Sequence, residues 1–311
     1  MRAILTLFIV GALATLALAS AGRGVSGSDP GSGPSIVVTT PQAADMARNV
    51  AGGAASVTQI LPANADPHEY EPRPSDAAAL ATADLIVRSG GEVDAWLDQL
   101  IDASGSDAPV LTLADHVRLI DGPDGADPHW WQDPRNGILA VAAIRSKLDE
   151  NDPARARRFD SGARRYTAEL QRLDAAIAAC VDRVPVAERK LVTGHDALDY
   201  FARRYRIALI GAAIPALSTQ AQASAGETAD LVGMIRSAGV RAVFPEAGVS
   251  AGLEESIAGE AGVGVGGELW ADTLGPAGSA AATYAGSLAA NARTVVAGLS
   301  GGAVDCRIGT P

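Results

Sequence analysis

The chain has 311 residues, 48% of them hydrophobic and 20% charged, with 36 acidic against 25 basic residues and a formal net charge of −11. A length of this order suits about two domains, and the composition excludes global disorder. With Lys147 and Lys190 the only lysines in an acidic chain, there is no polybasic surface for nucleic acid or anionic lipid.

Residues 1–21, MRAILTLFIVGALATLALASA, carry one early arginine, an uncharged apolar run and a small-residue end at Ala19-Ser20-Ala21. This is the pattern of a secretory signal peptide cleaved near Ala21. Residues 22–34 are rich in Gly and Ser and read as a flexible leader. No cysteine lies near the cleavage site, so a soluble, periplasmic mature protein is expected rather than a lipid-anchored one. In an oxidising compartment Cys180 and Cys306, the two cysteines, form a candidate disulfide tying the tail to the body.

From Ser35 the chain alternates strand and helix. Short apolar runs at 35–40, 56–61, 84–89 and 109–113 read as buried strands, separated by helical stretches at 41–50, 75–81 and 93–103. Ser75 or Asp76 is placed to cap the second of these helices. Residues 62–74 between them form a polar, proline-rich loop. Short strands joined through helices imply parallel pairing by right-handed crossovers. A helix is expected over 134–150. Asp152 and Pro153 then open a longer one reaching Cys180, with Phe159, Tyr166, Leu170, Leu173 and Ile177 on one face. Beyond it the alternation restarts: strands at 190–194, 207–211, 241–244 and 263–270, and helices at 196–205, 228–238, 252–261 and 279–299. The expected fold is α/β, with two doubly wound parallel-sheet lobes, 35–151 and 182–311, joined by a single long backbone helix at 152–181.

Three of the four histidines fall at or just beyond predicted strand ends: His68 in ADPHEYEPRPSD, His129 in ADPHWWQDP, and His195 directly after KLVTG. Ligands of open α/β sheets bind outside the carboxyl ends of the strands. Two histidines come from the first lobe and one from the second, so together they would line a cleft between lobes. Asp272, in ELWADTLG, is a carboxylate at the matching place after the last strand. Three imidazoles and one carboxylate suit tetrahedral Zn²⁺, whereas Ca²⁺ and Mg²⁺ want oxygen shells. His116 reads as a surface or strand-edge residue. Glu246 reads as a carboxylate orienting a histidine, Asp196 as a helix cap, and Asp66 as a brace for the loop around His68.

The stretches ADPHEYEPRPSD, HWWQDP, LVTGHDALDYFARRY, VFPEAGVS and ELWADTLG, in this order, resemble the signatures of zinc/manganese solute-binding proteins of ABC importers, the cluster A-I or TroA-like family. The resemblance runs from about Ser35 to Leu299. It implies two α/β lobes on one rigid helix and metal ligands at His68, His129, His195 and Asp272. Manganese members carry Glu where this chain has His195, which favours zinc. The short acidic segment IDGPDGADPH before the second ligand holds no extra histidine, and it resembles the AztC type more than the ZnuA type. The resemblance then implies a membrane permease, its ATPase and, for that type, a periplasmic metallochaperone as partners, with the protein itself monomeric. The rival readings are a manganese carrier, an adhesin or metallochaperone on the same fold, and a zinc hydrolase with Glu246 as base. A hydrolase needs an open metal position, which Asp272 would fill.

Overall fold

The structure is a computed structural model describing residues 33–122 and 125–309. The expected signal peptide and nearly all of the leader lie outside the described residues. Among those described, no helix is long and apolar enough to cross a membrane.

The first lobe alternates as its hydrophobic pattern dictates: β1 (Ser35–Val38), α1 (Pro41–Ala51), β2 (Ser56–Gln59), α2 (Pro74–Leu80), β3 (Leu85–Arg88), α3 (Leu97–Ser104) and β4 (Val110–Thr112). All pairings are parallel, in the order β2-β1-β3-β4. The apolar residues of β1 (Ile36–Val38) and β3 (Leu85–Val87) are buried on both faces, as central strands between helical layers must be. A two-residue-per-strand hairpin, β5 (Asp121–Gly122) and β6 (Gly125–Ala126), precedes α4 (Pro134–Asn151).

The connecting helix α5 runs Ala156–Val181, 26 residues, a rod of about 39 Å at 1.5 Å per residue. Its buried positions, Phe159, Gly162, Ala163, Tyr166, Leu170, Leu173, Ile177, Cys180 and Val181, follow helical spacing and form one stripe. That stripe packs on α1, α4 and the closing helix α9 (Tyr284–Ser300). Gly162 sits where α1 ends against α5: a Cβ there would lie 2.3 Å from the Val50 carbonyl oxygen. Inside the same contact, Asp45 of α1 accepts from the Tyr166 hydroxyl at 2.8 Å and from the Tyr284 amide at 3.1 Å, joining three helices through one buried carboxyl.

The second lobe holds β7 (Lys190–His195), α6 (Asp199–Tyr205), β8 (Ala208–Ile214), α7 (Ala225–Ala238), β9 (Ala242–Val243), α8 (Gly252–Ala261) and β10 (Gly264–Val265). The pairs β7/β8 and β9/β10 are parallel. The Phe244 amide donates to the Val192 carbonyl at 3.0 Å, setting β9 beside β7. The resulting order, β8-β7-β9-β10, repeats that of the first lobe. Cys180, on the last turn of α5, is disulfide-bonded to Cys306 in the tail, with Cα atoms 5.7 Å apart. Closing a loop of 126 residues is worth about 5 kcal/mol at most in the chain-entropy model.

Several expected boundaries move. Asp76 lies inside the first turn of α2, accepting from the Arg73 amide at 2.7 Å and the Tyr70 hydroxyl at 2.6 Å, because Pro74 starts the helix. Asp152 ends α4 and opens a 3₁₀ turn at Pro153–Arg155 without capping α5. Asp196 caps nothing: β7 extends through His195, a turn follows, and α6 begins only at Asp199. The glycine-rich 263–270 is strand only at Gly264–Val265, with one further bridge from Leu269 to Glu246.

Candidate metal centre

Each candidate ligand sits on a segment that the fold presents to one point. His68 lies in the irregular loop between β2 and α2, past the carboxyl end of β2. His129 precedes a 3₁₀ turn, Trp130–Gln132, that leads into α4. His195 is the last residue of β7, and Asp272 follows the Leu269 bridge beside β9. One donor atom from each lies within 4.8 Å of every other. Asp272 Oδ2 is 3.3 Å from His68 Nε2 and 3.3 Å from His195 Nε2, while its Oδ1 is 3.4 Å from His129 Nε2. The Nε2 atoms of His129 and His195 are 3.3 Å apart.

These separations have a chemical meaning. Four donors held tetrahedrally at 2.0–2.2 Å from an ion stand about 3.3–3.6 Å from one another. His68 Nε2 and both Asp272 oxygens are buried with no hydrogen-bond partner. Buried polar atoms left bare cost free energy that a bound cation would recover. A convergent set of unpaired donors at these distances fits a divalent ion.

The outward nitrogens are fixed from behind. Asp127 Oδ1 holds His129 Nδ1 at 2.7 Å and also accepts the His129 amide at 2.9 Å. Glu246 grips His195 Nδ1 with both oxygens, at 2.7 and 2.8 Å, and takes its amide at 2.6 Å. Such carboxylate partners set the tautomer, leaving Nε2 free to ligate, and raise ligand basicity. Gly194 makes the Glu246 contact possible, since a Cβ there would lie 2.6 Å from Glu246 Oε1. Burial opposes the charged form of His195, but the carboxylates of Asp272 and Glu246 outweigh it and hold the imidazole pKa well above 6.5. Burial likewise opposes the ionised form of Asp272, yet His195 and His129 hold its pKa well below 3.8. Proton and metal ion therefore compete for His195.

Bonds between lobes surround this cluster. Trp131 Nε1 and Gln132 Nε2 donate to the Ala271 carbonyl at 2.8 and 2.6 Å. The Asn64 amide donates to the Leu274 carbonyl at 3.0 Å and Thr273 Oγ1 at 2.8 Å, while within the second lobe Asn291 brackets the backbone of Trp270. The Asp272 loop is thus gripped from several directions.

Of the expected site residues, His68, His129, His195 and Asp272 come together. Glu246 orients His195 and Asp66 braces the His68 loop, as the sequence suggests, while His116 is exposed and stands apart. Sequence reasoning missed Asp127. Its signal was the twin tetrapeptide Ala-Asp-Pro-His at 65–68 and 126–129. In both copies the Asp side chain accepts the His amide at 2.9 Å.

The chain matches the family model described as ZnuA, zinc-uptake complex component A, periplasmic, over residues 36–298. It is 32% identical over 295 residues to the manganese-binding lipoprotein MntA of Halalkalibacterium halodurans, covering 94% of this chain and 97% of that protein. It is 29% identical over 244 residues to the iron-binding protein YfeA of Yersinia pestis, covering 77% and 78%. The structure of the periplasmic zinc-binding protein TroA from Treponema pallidum superposes with a TM-score of 0.80 at 27% identity, covering 86% of this chain and 99% of that one.

Proposed function

From the premise that the chain belongs to the ZnuA family of ABC-importer metal-binding proteins, binding proteins rather than enzymes, we propose that it is an exported zinc carrier. It takes Zn²⁺ as cargo through His68, His129, His195 and Asp272 and delivers it to a membrane permease driven by an ATPase. The observation that carries this reading is the convergence of four donor groups within 4.8 Å of one another, among which His68 Nε2 and both Asp272 oxygens are buried without a hydrogen-bond partner. Three imidazoles and a single carboxylate match the nitrogen-rich preference of zinc. In this reading the protein acts in the periplasm as a monomer, with lobes 35–151 and 182–311 on a connecting helix at 152–181. The compact acidic loop before His129 supports likeness to the AztC type and, with it, a metallochaperone partner. Both cysteines are far from the leader and joined to each other, which supports a soluble rather than lipid-anchored form.

A manganese reading rests on a specific feature. Asp272 presents both oxygens to the imidazoles, one toward His129 and the other toward His68 and His195. A larger ion wanting more oxygen donors would use both.

The test is competitive loading. Metal-free protein is dialysed against equimolar Zn²⁺, Mn²⁺ and Fe²⁺, and its bound metal is measured by elemental analysis. One zinc per chain is expected, with the His129→Ala and His195→Ala variants losing it. Retention of manganese in preference overturns zinc selectivity.

A further inference from the structure

The three imidazoles are not held alike. His129 and His195 each have a carboxylate behind the ring, whereas among the described residues the only carboxylate paired with the His68 ring nitrogens is Asp272 itself, across the ion site. What fixes His68 is its backbone. Asp66 Oδ1 accepts the His68 amide at 2.9 Å. The other oxygen, Asp66 Oδ2, accepts the Thr219 hydroxyl at 2.6 Å, and Gln220 Nε2 donates to the His68 carbonyl at 2.7 Å. Thr219 and Gln220 belong to the second lobe, in the segment between β8 and α7, about 150 residues away along the chain. The peptide carrying the ligand is therefore clamped by its own lobe on one side and by the opposite lobe on the other.

The surroundings make this clamp the weakest fastening of the site. The His68 loop spans 62–73 without helix or strand. Its bond to Gln220 is exposed and its bond to Thr219 half-buried. Exposed side-chain hydrogen bonds are worth little each, because water replaces them readily. The Asp272 loop, by contrast, is gripped by buried indole and amide donors. With a helical linker that resists bending, the Asp272 loop is the mover expected from sequence; the distribution of bonds points instead to the His68 loop.

We infer that Thr219 and Gln220 are positioning residues for metal retention: by clamping the Asp66–His68 turn across the lobe boundary they hold His68 on the ion, and metal leaves when they let go. This rests on the reading that the four residues above bind the ion. It makes completion of the ligand set depend on the contact between lobes, with no need for bending of α5. A permease that draws the segment between β8 and α7 away would loosen His68 first, leaving the ion on His129, His195 and Asp272.

The test compares zinc dissociation into excess chelator, followed by stopped flow, for wild type, T219V/Q220A, T219S, H68A and the triple variant H68A/T219V/Q220A. T219S keeps the hydroxyl and should retain the wild-type rate. T219V/Q220A should release zinc about tenfold faster, with association changed less than about twofold. Added to H68A, the same pair should change nothing further, a coupling that general loosening of the fold does not give. An unchanged rate in T219V/Q220A, or an equal acceleration in the H68A background, overturns the inference. If H129A and H195A also leave wild-type zinc binding intact, the underlying reading of the site fails as well, and that result is distinct from the first two.

Discussion

At the scale of single residues, the site is a competition between a proton and a dication. His195 lies between Asp272 and Glu246, which keep its pKa well above 6.5 despite burial. Without metal His195 is therefore protonated more readily than an ordinary imidazole, and an incoming ion must expel whatever proton it holds. Affinity should rise with pH across the interval between 6.5 and the elevated pKa. Acidification should weaken binding from above the ordinary histidine range, not only from within it. The stability of the metal-free protein has the opposite sign: the raised pKa contributes stability that is complete below the unfolded value and fades as pH climbs through the folded one. Calorimetric zinc titrations at about pH 6, 7 and 8, in buffers of differing ionisation enthalpy, should show roughly one proton released per ion near neutrality. Affinity flat across this range with no proton release would contradict the arrangement. A second residue-scale prediction concerns Gly194. An alanine there would drive Glu246 off His195, because its Cβ would meet Glu246 Oε1 at 2.6 Å. Loss of a carboxylate that orients a ligand typically costs about 10–100-fold in metal affinity. G194A should fall in that range in a chelator-competition assay, and near-wild-type affinity would remove Glu246 from its orienting role.

At the scale of elements, the crossing of α1 and α5 carries the join between lobes. At Gly162 the carboxyl end of α1 comes up against the backbone of α5. Substitution by alanine should cost about 1–3 kcal/mol through overpacking, read as a lower thermal midpoint of the metal-free protein. An unaltered midpoint would mean that the contact is looser than its geometry. This element was legible in the sequence because 3.6-residue periodicity at Phe159, Tyr166, Leu170, Leu173 and Ile177 is a local signal. Helix starts were less so. Asp196 and Asp152 look like caps, but whether a carboxylate caps depends on where the preceding element stops. β7 runs on through His195, and α4 runs on to Asn151. The expected strand at 263–270 pairs only at Gly264–Val265, because a glycine-rich segment can be extended without pairing.

At the scale of the molecule, the metal ligands come from both lobes: His68 and His129 from the first, His195 and Asp272 from the second. His68, His129, His195 and Asp272 were readable as chemistry-bearing residues at strand ends. Their convergence in one cleft follows from strand-end placement in an α/β fold, but its certainty came only from likeness to a known family, since no local pattern encodes contacts between residues more than 200 positions apart. Thr219 and Gln220 left no signal at all: a hydroxyl and an amide in a polar segment resemble any loop. The same long-range bonds predict how the whole body responds to its ion. With α5 packed along its length, and Asp45, Tyr166 and Tyr284 joined inside the contact, the lobes should not swing. Small-angle scattering profiles of metal-free and metal-loaded protein should coincide, whereas a large compaction on loading would contradict the rigid connection.

The most direct measurement of the central claim is an anomalous difference map from crystals of zinc-loaded protein, recorded on both sides of the zinc absorption edge. One peak is predicted, about 2.0–2.2 Å from Nε2 of His68, His129 and His195 and from a carboxylate oxygen of Asp272. A peak elsewhere on the molecule, with these four side chains left unligated, would contradict it.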